Sequence, residues 1–150
     1  MASMVDELEN SLLLHMFQNA NLANFGDATG LLASSTAGST QLALATVAYV
    51  DADTLLTADE VAYTGYARQT VARASGAGGW TVSADAASNT TLIQFGEMTA
   101  GGPDTVVHVG LGFIATGDVL RLHQDLSSDL VINDGVNPQF AAAALVWTAA

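Results

Sequence analysis

The first apolar positions of the chain recur at helical spacing. Val5, Leu8, Leu12 and Met16 fall on one stripe, and Leu13 and Phe17 widen it. Ser3 stands before the stripe as an N-cap with Asp6 three residues on, a weak capping box, and acids fill the first turn where the helix dipole favours them. This pattern predicts one helix ending near Gln18. From Asn19 to Thr40 the chain is rich in Asn, Gly, Ser, Thr and Ala and holds no period, which predicts a long loop or arm.

Beyond Thr40, short runs of β-branched and aromatic residues alternate with turn residues. Strands are expected over Gln41 to Val50, Tyr66 to Ala74, Trp80 to Ser83, Thr90 to Phe95 and Thr105 to Phe113. Asp51-Ala52-Asp53, Ser75 to Gly79, Ser88-Asn89 and Ala100 to Asp104 read as the breaks between them. Val119 to Leu122 and Asp129 to Ile132 continue the series, Asn133-Asp134-Gly135 signals a tight turn, and Phe140 to Trp147 forms the last strand, although its alanine run equally suits a helical turn. About seven or eight strands behind one helix predict a mainly β protein, an antiparallel sandwich or jelly roll. Residues 1–40 would form the helix and arm and residues 41–150 the sandwich, all within one globular domain.

Composition narrows the function classes. A chain of 150 residues is long enough to bury roughly 70% of its unfolded surface without metal or disulfide staples. Fifteen acids against three bases give a net charge of −12, with no lysine and no cysteine. Arg68, Arg73 and Arg121 are the only Lys or Arg residues, too few to displace counterions from a polyphosphate, so nucleic acid is not an expected partner. The apolar fraction is 50%, but roughly a third of it is alanine, which fills small spaces rather than making a greasy surface. The longest apolar stretches, Leu12 to Leu14 and Ala141 to Trp147, fall far short of the roughly 18 residues of a spanning helix, so no membrane role is expected. The acidic start, Met1 to Glu7, is unlike a signal peptide and predicts synthesis in a cytoplasm.

The chemical signatures dissolve on inspection. Gly110-Leu111-Gly112-Phe113-Ile114-Ala115 matches G-x-G-x-x-A, but Thr116-Gly117-Asp118 breaks the chain where the dinucleotide fingerprint needs a helix, so the glycines read as relief of packing in a strand. Asp51, Asp53, Asp59 and Glu60 invite a calcium reading, yet Leu56 and Ala62 occupy the glycine and bidentate-acid positions of an EF-hand loop, which leaves a solvated acidic loop as the preferred reading. His15, His108 and His123 lack ligand spacing and read as structural or surface histidines. There is no G-x-S-x-G elbow and no P-loop, and Glu97 with Asp104 is only a chance glycosidase pair. Trp80, Trp147, Tyr49, Tyr63 and Tyr66 suit a carbohydrate platform less well than a sandwich core. Neither an enzyme nor a cofactor is expected.

Two stretches carry a resemblance. Leu8-Glu9-Asn10-Ser11-Leu12-Leu13-Leu14-His15 fits L-E-N-x-L-L-x-H, and Glu60-Val61-Ala62-Tyr63-Thr64-Gly65-Tyr66-Ala67-Arg68 fits E-V-x-x-x-G-Y-A-R. With Trp80, Ser88-Asn89, Val107 to Leu111, Gly117-Asp118 and Asp134-Gly135 following in order, the chain resembles a family of small virion proteins of tailed bacteriophages, the tail-fibre-like or head-decoration proteins. The stretch Asn19 to Thr40 is longer than the family's pattern and suggests an arm laid over a neighbour. The resemblance implies a non-enzymatic decoration or cement protein, a homotrimer on the outer capsid surface that bridges major capsid protein subunits by avidity. The alternative it implies is a tail-associated adaptor or receptor-binding module for a host glycan. Expected interface residues are Val5, Leu8, Leu12, Met16 and Phe17 of the helix, with Tyr66, Arg68 and Arg73. For Arg68, the competing expectation is an internal pair with Glu60 or Asp59, worth under about 1 kcal/mol if exposed.

Overall fold

The computed structural model describes residues 4–27, 29–114 and 117–149. It is mainly β, with antiparallel sheets and one helix near the amino terminus, as expected. The chain divides into two compact units, one of Met1–Gly38, Val71–Leu92 and Ala141–Ala150, the other of Ser39–Thr70 and Ile93–Phe140.

In the first unit, helix α1 (Asp6–Gln18) begins after Val5, whose extended backbone serves as N-cap without a side-chain hydrogen bond. The expected cap, Ser3, lies outside the described residues. The helix stops at Asn19, where the left-handed conformation (φ 54°) turns its N–H back to the Leu14 carbonyl. Strands β3 (Trp80–Ser83), β4 (Ala86–Asn89) and β9 (Val146–Thr148) make a three-stranded antiparallel sheet in the order β3-β4-β9, and α1 packs on β3 and β4. Phe17 meets Trp80 edge to face with ring centres 4.7 Å apart, and both rings are wholly buried.

Ser88 and Asn89 do not break the chain as expected but close β4, and the reason is what Asn89 does inside. Its buried amide donates to the carbonyls of Thr91 and Ala141 at 2.7 and 2.8 Å, and its side-chain oxygen accepts the Leu145 N–H at 2.9 Å. The Asn89 carbonyl accepts the Ala143 N–H at 2.8 Å. This buried asparagine thereby fixes the run Ala141 to Ala144 as a turn, with Ala143 at φ 60°. The expected last strand is therefore two, β8 (Gln139–Phe140) and β9, separated by that turn.

The second unit is built on β1 (Ser39–Ala45), β6 (Asp104–Phe113) and β7 (Leu120–Ile132), which with β2 (Gln69–Ala72) form a sheet in the order β2-β1-β6-β7. Strand β2 carries the chain from this unit into the first. Thr40 to Ala45 are buried without interruption, because β1 has a neighbour on each side. β1 ends five residues earlier than the alternation suggests, at an isolated bridge between Ala45 and Glu60. The two segments expected at Val119 to Leu122 and Asp129 to Ile132 are joined in the single strand β7, irregular where Val107 alone separates the pairs His108–Asp125 and Val106–Leu130. A short pair, β5 (Ile93–Gln94) with β8, completes the unit.

The two glycines of the apparent fingerprint lie within β6, opposite Ala43 and Gln41 of β1. A Cβ at Gly112 would stand 2.5 Å from the Val119 carbonyl oxygen, while one at Gly110 would meet side-chain tips of Leu56, Tyr49 and Leu120 at 2.9 to 3.0 Å. The glycines are therefore a condition of close packing around the cluster of Ala43, Ala45, Tyr49, Leu56 and Leu120. Gly112→Ala should cost about 1 to 3 kcal/mol of unfolding free energy, and Gly110→Ala less, because side-chain tips can move and a carbonyl cannot. Urea titration of both variants checks the order; equal midpoints would show that the Val119 carbonyl is not the obstacle.

Candidate functional site

The arm expected to drape loosely is folded on itself. Leu22 and Leu31 exchange both backbone hydrogen bonds at 2.8 Å. On the outer side, the Asn19 amide donates to the Ser34 carbonyl and its oxygen accepts the Ser34 N–H, both at 2.9 Å, while Asn21 accepts the Ala33 N–H at 2.8 Å. The two asparagines imitate a strand partner, a use of short amide side chains that competes with regular ladders. At the tip, the Asp27 carboxylate accepts from the Thr29 N–H at 2.8 Å, the Thr29 hydroxyl at 2.6 Å and the Gly30 N–H at 3.0 Å. These bonds, the Thr29 side chain first, hold its carboxyl below the usual carboxylate range.

This hairpin and the start of α1 enclose a groove of about 330 Å³ lined by Val5, Glu7, Leu8, Ser11, Leu22 and Phe25, among others. Val5 is 68% exposed, Phe25 54% and Leu32 64%, and Leu31 is exposed as well. Within the helix, the expected stripe divides. Leu8, Leu12 and Met16 are half-buried, whereas Leu13 and Phe17, which only widened the stripe in the sequence, are the buried face. Phe17 holds the helix to its own sheet and is not an outward residue. On the helix and hairpin, Val5, Phe25, Leu31 and Leu32 are exposed and Leu8, Leu12 and Met16 partly so, and Phe25 and Leu32 were missed because the aperiodic arm has no pattern to mark them.

Arg73 closes the other end of the helix. Its guanidinium donates to the carbonyls of His15 at 2.6 Å, Met16 at 2.7 Å and Ala37 at 3.0 Å. A cation at a helix carboxyl end satisfies orphan carbonyls and meets the negative pole of the dipole. Burial lowers its pKa, yet the group remains charged. Arg73 therefore ties the end of the helix to the root of the hairpin.

The E-V-x-x-x-G-Y-A-R positions of the second unit prove to be a structural clamp. Arg68 forks onto Glu60 with bonds of 2.8 and 2.7 Å and donates to Asp118 at 2.6 Å, while Asp59 is not its partner. The hydrogen bond to Glu60, ahead of Asp118, raises the Arg68 pKa. Tyr66 donates to Glu60 at 2.7 Å and accepts the Leu44 N–H at 3.1 Å, and burial raises its pKa. Gly65 and Gly96 approach so closely that a Cβ on Gly96 would fall 1.9 Å from the Gly65 oxygen. Tyr66 and Arg68 thus face inward, stacked or paired within the unit.

Tyr49, Tyr63, Trp80 and Trp147 are each at most 4% exposed, so these rings offer no stacking platform. His108 and His123, apart in sequence, lie with rings stacked at 5.8 Å. His108 Nδ1 accepts the Tyr49 N–H at 3.0 Å and its Nε2 meets Asp125, while His123 lies 3.4 Å from Asp51. Among the described residues, no group of three or more His, Cys, Asp or Glu is placed to hold a metal ion, and no helix is long and apolar enough to cross a membrane.

A family model described as Gp80, podophage GP4 fiber I protein gp80, matches residues 3–148 of the chain. No curated protein matches it.

Two outcomes follow from this geometry. Glu60 is only 13% and Arg68 17% exposed at the side chain, so Arg68→Ala should remove about 3 kcal/mol by stranding a carboxylate, with Arg68→Lys restoring only part because it lacks the fork. Denaturant unfolding measures both; a loss below about 1 kcal/mol would make the clamp an ordinary surface pair. For Asp27, the depressed pKa means that the turn bonds are at full strength above the ordinary value of 3.8 and are lost as pH falls through the lower folded value. The amide shifts of Thr29 and Gly30, followed by NMR, should titrate with a midpoint below 3.8, and a midpoint at or above it contradicts the turn.

Proposed function

The chain belongs to the podophage GP4 fiber I protein gp80 family, and on that premise we propose that it is a non-catalytic structural component of the fibre apparatus at the phage tail. It is a virion protein of β class whose stability lies in internal clamps and whose contact surface is the groove between α1 and the hairpin. The observation that carries this reading is the groove lined together by Val5, Leu8, Leu22 and Phe25, in which Val5 and Phe25 are more than half exposed. Contiguous exposed apolar area of this kind marks an interaction site. Repetition of a modest contact around a multimeric fibre would give durable attachment through effective concentration.

The family's description speaks of a fibre, which favours the tail adaptor over a cement protein on the major capsid protein. Glycan stacking by Tyr66 and Trp80 has no support in the geometry, since Trp80 is wholly buried and Tyr66 bonds to Glu60. The adaptor therefore joins proteins, through aliphatic and phenyl side chains.

Electron microscopy of particles bearing a small tag at the carboxyl end of this chain, labelled with gold, tests the assignment. Label on the tail fibres is the expected result. Label spread over the head would replace the adaptor with capsid decoration, and particles without label would remove the virion role.

A further inference from the structure

The groove between α1 and the hairpin has a charge as well as a shape. Glu7 lines it, and Asp6 and Glu9 share the first turn of the same helix. A helix amino terminus carries roughly half a positive charge, so three carboxylates overcompensate it and leave the mouth negative. Among the described residues, none that lines the groove is a cation. Its volume of about 330 Å³ exceeds the roughly 150 Å³ that accommodates a benzene-sized ring.

A second copy of the chain is a poor occupant. It carries a net charge of −12, and two of its three arginines are committed, Arg68 to Glu60 and Asp118 and Arg73 to backbone carbonyls. Arg121 is exposed, but it is the one remaining Lys or Arg of the chain against fifteen acids. Like-charge approach opposes such a contact.

We infer that the groove receives a segment of a different, basic protein: an apolar side chain of leucine or phenylalanine size enters between Leu8, Leu22 and Phe25, and an adjacent Lys or Arg meets Glu7. This rests on the structural reading above and names the chemistry of its partner. The apolar anchor supplies binding, and the charge pair supplies selection against the chain's own acidic surface.

The test uses the full chain, isotopically labelled, and two amidated peptides of equal length with the same Leu-Phe centre, flanked by lysines in one and by glutamates in the other. The lysine peptide should shift the amides of residues 5–11 and 22–25, and the glutamate peptide should leave them unmoved. Phe25→Ser, a change at an exposed position, should weaken binding about tenfold or more, and Glu7→Gln together with added salt should weaken it further. Absence of binding, equal binding of both peptides, shifts centred on Asp51 to Glu60, or insensitivity to Phe25→Ser would each overturn the inference, as would sedimentation showing self-association through these residues. The gold-labelling result is independent. Peptide capture without label on the fibre keeps the partner's chemistry and removes the fibre role, whereas label without capture does the reverse.

Discussion

Positive charge is the scarce component of this protein, and its placement governs much of the rest. With three arginines against fifteen acids, any carboxylate taken out of water competes for very few partners. Arg68 answers this in the second unit by taking two carboxylates from different loops, Glu60 and Asp118, which lie 8 and 50 residues from it along the chain. Arg73 answers a different need in the first unit, where it takes up carbonyls at the end of α1 and at the root of the hairpin. Both guanidiniums are bonded within the chain. Most remaining acids are left in solvent, and the outer surface is negative by default.

The second constraint is closeness of backbone approach. Alanine and glycine are abundant because β1 is buried without a break, with Ala43 and Ala45 in the cluster beside Tyr49 and Leu56. Glycines at 65, 96, 110 and 112 each stand where a Cβ would meet another atom at 3.0 Å or less. Polar groups enclosed by such packing must be satisfied in place. Asn89 shows how, since one side chain and its own carbonyl serve Thr91, Ala141, Ala143 and Leu145. What looks in sequence like an excess of hydrophobicity is therefore largely small-residue packing, and the apolar side chains left outside include Val5, Phe25, Leu31 and Leu32 of the helix start and hairpin.

Legibility followed the range of the interactions. Helix α1 was readable because its apolar spacing is local, and its stop at Gln18 coincides with an asparagine that tolerates the left-handed turn. Strand Trp80–Ser83 was readable from alternation between turn residues. Ser88-Asn89 misled because the pair looks like a turn, while the bonds that make Asn89 a core residue come from positions more than fifty residues away. The arm misled for the same reason. Its order comes from Asn19 and Asn21 bonding across 15 and 12 residues, a pairing with no periodic trace.

For the site, the sequence by itself determined that an amino-terminal helix carries an apolar stripe, that the body is β, and that the chain is strongly acidic with three arginines. Those conclusions rest on local periodicity and on net charge, which tertiary contacts do not alter. Only the tertiary structure decided which part of the stripe is inside. Leu13 and Phe17 are drawn onto β3 and β4 by Trp80, and Val5 and Leu8 are left to line a groove with Leu22 and Phe25. It also decided that Arg68 and Arg73 work inward. Burial and ion pairing depend on which distant segments meet, and that is settled by the chain's global packing rather than by neighbours in sequence.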